Sequence, residues 1–167
     1  MSYSIQAILA VQGTFSAELT NEMEVLQLDG GIEMIALGST ARKLLGLPFL
    51  PLTDEGIEEL PPALRGLCSA LSIHGPVAYV EAEIFGGSGT QAHTLIPAGG
   101  TDALVSVSND AINSALEWLG VWPLDGKDRF DTVGLGKHRE TDSWVVAPPP
   151  NVCVGAKTDI LRANPSR

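Results

Sequence analysis

The stretch from Gly75 to Gly100 constrains the fold of this 167-residue chain more than any other. It reads GPVAYVEAEIFGGSGTQAHTLIPAGG, an alternating apolar run followed by a glycine-rich segment and a second run that favours strand. The even-numbered residues from Ala78 to Ile84 are all apolar, which predicts a strand with that face on the core. Glycine supplies the positive φ that tight turns require. The stretch therefore predicts a β-hairpin around which an antiparallel sheet is built.

The register of this hairpin decides which side chains meet. Glu81 and Glu83 lie two residues apart and so project from the same side of the strand. With a five-residue loop, residues 86–90, His93 stands opposite Glu83. With a four-residue loop, Ala92 stands opposite Glu83, and His93 lies on the other face. A slip of one residue exchanges the faces, so the sequence leaves both registers open.

Other segments predict the elements that flank this hairpin. Asp29-Gly30-Gly31 separates two strand-like runs within residues 25–37, which predicts a second hairpin. Helical spacing of apolar residues predicts one helix around Cys68 and another over residues 109–119. A core position for Cys68 disfavours its thiolate, so we do not expect it to act as a nucleophile.

These elements predict a single α+β domain over residues 1–146. We expect a mostly antiparallel sheet with helices packed on one face. Residues 147–167 contain three successive prolines and form a separate, extended Pro-rich C-terminal tail in this interpretation. The tail either wraps the domain or is mobile.

The chain is acidic, with a net charge of −10. Residues 1–126 carry −12 and residues 127–167 carry +2. Such a surface disfavours nucleic acid, whose phosphates require a basic face. It favours a basic protein partner, although the C-terminal part lying on the acidic body accounts for the same charges.

The chain shows no sign of a membrane or secreted location. It has no apolar run of about 18 residues and no signal-peptide pattern. Its two cysteines do not indicate a disulfide framework. We therefore expect a cytoplasmic protein without a membrane span.

Two carboxylates on one strand face can perform acid/base chemistry or bind a hard cation. A metal needs more ligands than Glu81 and Glu83 supply, so no metal site is assigned. No stretch spells out an established catalytic motif, and no cofactor or catalytic residue is assigned. An ion pair from Arg139 to Glu81 or Glu83 would stabilise the fold and requires no function. The residues predicted to form a binding surface are Glu81, Glu83, Gln91, His93, His138 and Arg139.

Two stretches, VAYVEAEIFGGSGTQ and FDTVGLGKHRETDSW, resemble the paired motifs of a family of small bacterial proteins of unknown function. The resemblance covers about residues 75–144. It implies no catalytic assignment. Members of the family are similar in size and acidity to immunity proteins, which neutralise bacterial toxins.

The expected function is a non-enzymatic, acidic protein-binding module of immunity type. The alternative is a small hydrolase-like enzyme that uses Glu81 or Glu83 with His93 or His138 as acid and base. A third hypothesis is a homodimer joined through the open face or edge of the sheet.

Overall fold

The computed structural model describes residues 2–16, 23–54, 59–100 and 104–145. The expected tail at residues 147–167 lies outside the described residues. Within them, the α+β class and the antiparallel sheet are confirmed. None of the helices described is long and apolar enough to cross a membrane.

Six antiparallel strands form one sheet in the order β2-β3-β1-β4-β5-β6. The strands are β1 (Ser2–Val11), β2 (Leu26–Gln27), β3 (Ile32–Ala36), β4 (Val77–Phe85), β5 (Ser88–Ile96) and β6 (Leu104–Ser108). The predicted hairpin is thus β4–β5, with β4 inside the sheet. The second hairpin is β2–β3, and its turn is the 3-10 segment Asp29–Gly31.

The turn of the β4–β5 hairpin is shorter than either loop that the sequence suggested. Phe85 pairs with Ser88, which leaves only Gly86 and Gly87 between the strands. Both glycines have positive φ, 57° and 83°, as a two-residue turn of this kind requires. The faces agree with the four-residue alternative, because His93 pairs with Val80 and lies opposite the acids.

Helices cover both faces of the sheet. They are α1 (Ser39–Leu45), α2 (Pro51–Asp54), α3 (Pro62–Leu71), α4 (Ala111–Trp118) and α5 (Arg129–Val133). One face, here called the α4 face, carries the even residues of β4 and packs on α4 and on Val133 of α5. The opposite α3 face packs on α3 and on Leu52 of α2.

The expectation that the helices pack on one face is therefore wrong. Val77 and Tyr79 are fully buried on the α3 face of β4. Two large side chains on a central strand need an apolar cover of their own, and α3 supplies it with Leu64, Cys68 and Leu71.

A segment at the end of the described chain, residues 138–145, closes the edge of β1 that β3 does not reach. We call it the closing segment. The backbone N–H of Ser4 donates to the carbonyl of Arg139 at 2.8 Å, and that of Gln6 donates to Thr141 Oγ1 at 3.0 Å. Trp144 of the same segment is buried in the core of the α4 face.

Candidate functional site

Glu81 is the most heavily hydrogen-bonded acid among the described residues, and it is not on the surface. Its side chain is fully buried on the α3 face. Oε2 accepts from the backbone N–H of Leu52 at 3.0 Å, and from the N–H and Oγ1 of Thr53, both at 2.8 Å. Oε1 accepts from the hydroxyl of Tyr79 at 2.7 Å. The prediction that Glu81 belongs to a binding surface is therefore wrong, because α2 lies directly over it.

Gln6 completes the same arrangement from the neighbouring strand. It pairs with Glu81 across β1 and β4. Its Nε2 donates to the carbonyl of Pro48 at 2.9 Å, and its Oε1 accepts from the N–H of Leu50 at 3.3 Å. Leu50 has a positive φ of 41°, uncommon for a side chain of this kind. Gln6 and Glu81 together hold residues 48–53 against the sheet, so their role is structural.

Tyr79 remains a neutral donor in this network. Burial raises its pKa well above the ordinary value of 10.0, and the charge of Glu81 raises it further. The hydroxyl therefore keeps the proton that it donates to Glu81.

Glu83 and Gln91 lie farther along the hairpin, and Gln91 has a clear structural task. Its Oε1 accepts from the N–H of Ile112 at 3.0 Å, and its Nε2 donates to the carbonyl of Asn109 at 2.9 Å. The side chain thus satisfies backbone groups at the start of α4. Glu83 is half-buried and pairs with Ser4 and Thr90.

His93 is separated from both acids by the sheet itself. It lies between Val80 and Ser106 on the α4 face, and its side chain is 8 % exposed. Its Nδ1 is buried and has no hydrogen-bond partner among the described residues. Burial lowers the pKa of the imidazole below its ordinary value of 6.5. The register that would place His93 beside Glu83 as an acid/base pair is not the one observed.

His138 and Arg139 are exposed residues of the closing segment. The ring of His138 meets the ring of Trp144 edge-on, with centroids 4.5 Å apart. Arg139 contributes its carbonyl to β1, as described above. The ion pairs within the described residues join Arg65 to Glu59, Arg129 to Glu117, and Lys137 to Asp29. The expected pair from Arg139 to Glu81 or Glu83 is not among them.

A groove of about 410 Å³ opens elsewhere, between α1, the end of β3 and the closing segment. Its lining is mainly apolar, with a rim of acids, hydroxyls and backbone. The lining residues are Met23, Glu24, Leu26, Ile35, Ala36, Gly38, Ser39, Thr40, Ala41, Leu44, Leu45, Asp142 and Val145. None of them belongs to the binding surface predicted from the sequence.

Helix α1 forms one wall of the groove and is poorly covered. None of its residues is buried. Leu44 is 67 % exposed and Leu45 is 40 % exposed, although both line the groove. Adjacent exposed leucines on the wall of a concave site are typical of a surface that binds another molecule.

The start of α1 is fixed by a residue about a hundred positions away. Asp142 Oδ1 accepts from the backbone N–H of Ser39 at 2.7 Å. A Cβ at residue 38 would overlap this carboxylate, so Gly38 is what allows Asp142 to approach the helix. The groove therefore exists only once the closing segment has reached α1, and no local sequence pattern reveals it.

Among the described residues, no group of three or more His, Cys, Asp or Glu side chains is placed to hold a metal ion. In comparisons with protein-family models, with curated proteins and with solved structures, nothing matched the chain.

Proposed function

We propose that this chain is a non-enzymatic, acidic module of immunity type that binds a basic protein partner through the groove. The groove is the observation that supports the proposal. Its charged lining residues among those described are two acids, Glu24 and Asp142. Residues 1–126, which include most of the lining, carry a net charge of −12. Such a site attracts a segment that carries both apolar and basic side chains.

The apolar wall supplies affinity, and the acids supply rate and specificity. Full burial of a leucine side chain contributes about 1.5–3 kcal/mol, and Leu44 keeps two-thirds of its surface for a partner to cover. Exposed carboxylates act at longer range, and salt screens them. We therefore expect the affinity for the partner to fall as the salt concentration rises. The affinity that remains at high salt comes from the apolar wall.

The hydrolase alternative uses Glu81 or Glu83 with His93 or His138, and two of these four residues do not fit the role. Glu81 is enclosed by α2 and Tyr79, and His93 lies on the other face of the sheet. An acid/base pair must lie within hydrogen-bonding reach of a common substrate.

A peptide display selection on the full chain tests the proposal. A library of random 12-residue peptides is selected at low ionic strength and again at high ionic strength. We expect peptides rich in Lys or Arg and in apolar residues, with weaker enrichment at high salt. A selection that enriches nothing above an unrelated acidic protein refutes the proposal.

Matched variants localise the binding. Ala41→Trp fills the groove, whereas Ala70→Trp places the same side chain on the exposed surface of α3. Glu24→Gln removes a rim charge, whereas Asp125→Asn removes an exposed charge outside the lining. The first member of each pair should reduce binding of the selected peptides and the second should not. Equal effects within the pairs would place binding elsewhere.

A further inference from the structure

Part of the groove lining is the end of β3, where no strand of the described residues pairs with the outer edge of the sheet. Backbone groups along β3 alternate between its two neighbours. Leu37 N–H donates to Gln6 on the β1 side, and Ile32 C=O accepts from Leu28 on the β2 side. Ala36 has the same parity as Ile32, so its N–H and C=O point away from β1.

β2 is too short to reach this position. Its last pair joins Leu26 to Met34, two residues before Ala36. Within the part of the chain that the structure describes, no strand pairs with Ala36 on the outer side. Yet Ala36 is 7 % exposed and lines the groove. Buried backbone N–H and C=O groups are nearly always hydrogen-bonded, and pairing them with an added strand satisfies both at once.

We infer that the partner contributes an extended segment that adds to β3 at Ala36 as a short extra strand, with apolar side chains against α1 and a Lys or Arg at the Glu24–Asp142 rim. This inference rests on the proposed function and specifies how the partner binds. The incoming strand takes the place that β2 would occupy if it continued past Leu26.

The geometry determines what the segment must contain. The segment runs antiparallel to β3, as β2 does. One of its residues then exchanges two hydrogen bonds with Ala36, so that residue cannot be proline or N-methylated. Side chains alternate along a strand, so every second residue faces the leucines of α1. The basic residue is placed by charge complementarity, because the two charged groups among the described lining residues are acids.

An N-methyl scan of a selected peptide tests the inference. Each residue is methylated in turn on its backbone nitrogen, and affinity for the full chain is measured by fluorescence anisotropy. Removal of one buried main-chain hydrogen bond should weaken binding roughly tenfold at the residue paired with Ala36. Methylation of the residues immediately before and after it should have much less effect.

The outcomes separate this inference from the proposed function. If a peptide binds and Ala41→Trp abolishes binding, but no N-methyl position matters, the groove is a site and strand addition is refuted. If Ala41→Trp behaves like Ala70→Trp, the groove itself is refuted as the site. The N-methyl readout leaves the protein unchanged, so a folding defect does not confuse it.

Two other occupants of the groove would also overturn the inference. A concentration-dependent dimer that Ala41→Trp dissociates would make a second copy the occupant. The chain's own residues after Val145 are tested with Leu44→Cys and the neighbouring Lys43→Cys, since residue 44 lines the groove and residue 43 does not. A disulfide to Cys153 that forms much faster from residue 44 than from residue 43 would identify that segment as the occupant. Equal rates support an external partner.

Discussion

Replacement of Glu81 by alanine should destabilise the protein severely. The ion pairs within the described residues do not include Glu81, and a buried acid without a cation is usually a poor contributor to stability. The carboxylate accepts hydrogen bonds from two backbone N–H groups and two hydroxyls. A buried donor left without an acceptor costs about 1–3 kcal/mol, and the backbone donors of Leu52 and Thr53 cannot rotate toward another group. We expect Glu81→Ala to lower the free energy of unfolding by about 3–5 kcal/mol, a large part of a typical total of about 5–15 kcal/mol.

The substitution Glu81→Gln removes the negative charge but keeps an oxygen that accepts hydrogen bonds. The carbonyl oxygen of the glutamine can retain the donors at Leu52 and Thr53, and its amide then faces Tyr79. The weaker neutral hydrogen bonds are partly offset by removal of a desolvated charge. We therefore expect Glu81→Gln to cost about 1–2 kcal/mol, less than half the effect of alanine.

Urea unfolding, followed by circular dichroism and by tryptophan fluorescence, measures both changes. Glu83→Ala is the matched control, because Glu83 projects from the same face of β4 but is half-buried, and no hydrogen bond to its side chain is seen in the described residues. Its cost should stay near the ±0.5 kcal/mol typical of surface changes. A cost below about 1 kcal/mol for Glu81→Ala, or equal costs for alanine and glutamine at residue 81, would contradict a structural role for the carboxylate.

Three further predictions concern single side chains. Burial lowers the pKa of His93 below 6.5, so the unfolded state binds a proton at this residue before the folded state does as the pH falls. The stability of the protein should therefore decrease from about pH 6.5 downward. Thermal unfolding of His93→Gln over the same pH range should show a smaller loss of stability. Burial raises the pKa of the Cys68 thiol to about 12, so iodoacetamide should label Cys68 in urea but not in the native protein, as peptide mapping by mass spectrometry will show. Gly38→Ala should displace Asp142 from α1 and cost about 1–2 kcal/mol, and the cost should be smaller in an Asp142→Ala background; equal costs in both backgrounds would contradict the contact.

The sequence predicted the hairpins and the apolar faces of the helices well, because periodicity and glycine turns are local signals. The register of β4–β5 was not predictable in the same way. Ser88 and Gly89 read equally well as loop or as strand, and only their pairing with Phe85 and Ile84 assigns them to β5. That pairing also determines which face of the sheet His93 occupies, and it places His93 on the face opposite Glu81 and Glu83.

The site was harder to predict, for reasons that lie in tertiary contacts. Alternation placed Glu81 on the correct side of the strand. It does not show whether that side faces solvent or is covered by another segment of the chain. The cover comes from Leu52 and Thr53, about thirty residues earlier in the chain. The groove likewise combines residues 23–26, 35–45 and 142–145, and no local pattern shows that these distant segments meet.

The closing segment has a consequence for how this chain folds as it is synthesised. β1 precedes every other described element, yet it lies inside the sheet and needs three later segments for its two edges: β3, then β4, then the closing segment. Thr141 must leave the ribosome before the backbone N–H of Gln6 can donate to its hydroxyl. Until then an apolar strand keeps an open edge, which is the state most prone to pairing with another chain. A nascent chain arrested before residue 139 should therefore depend on chaperones, and one arrested well beyond residue 145 should not.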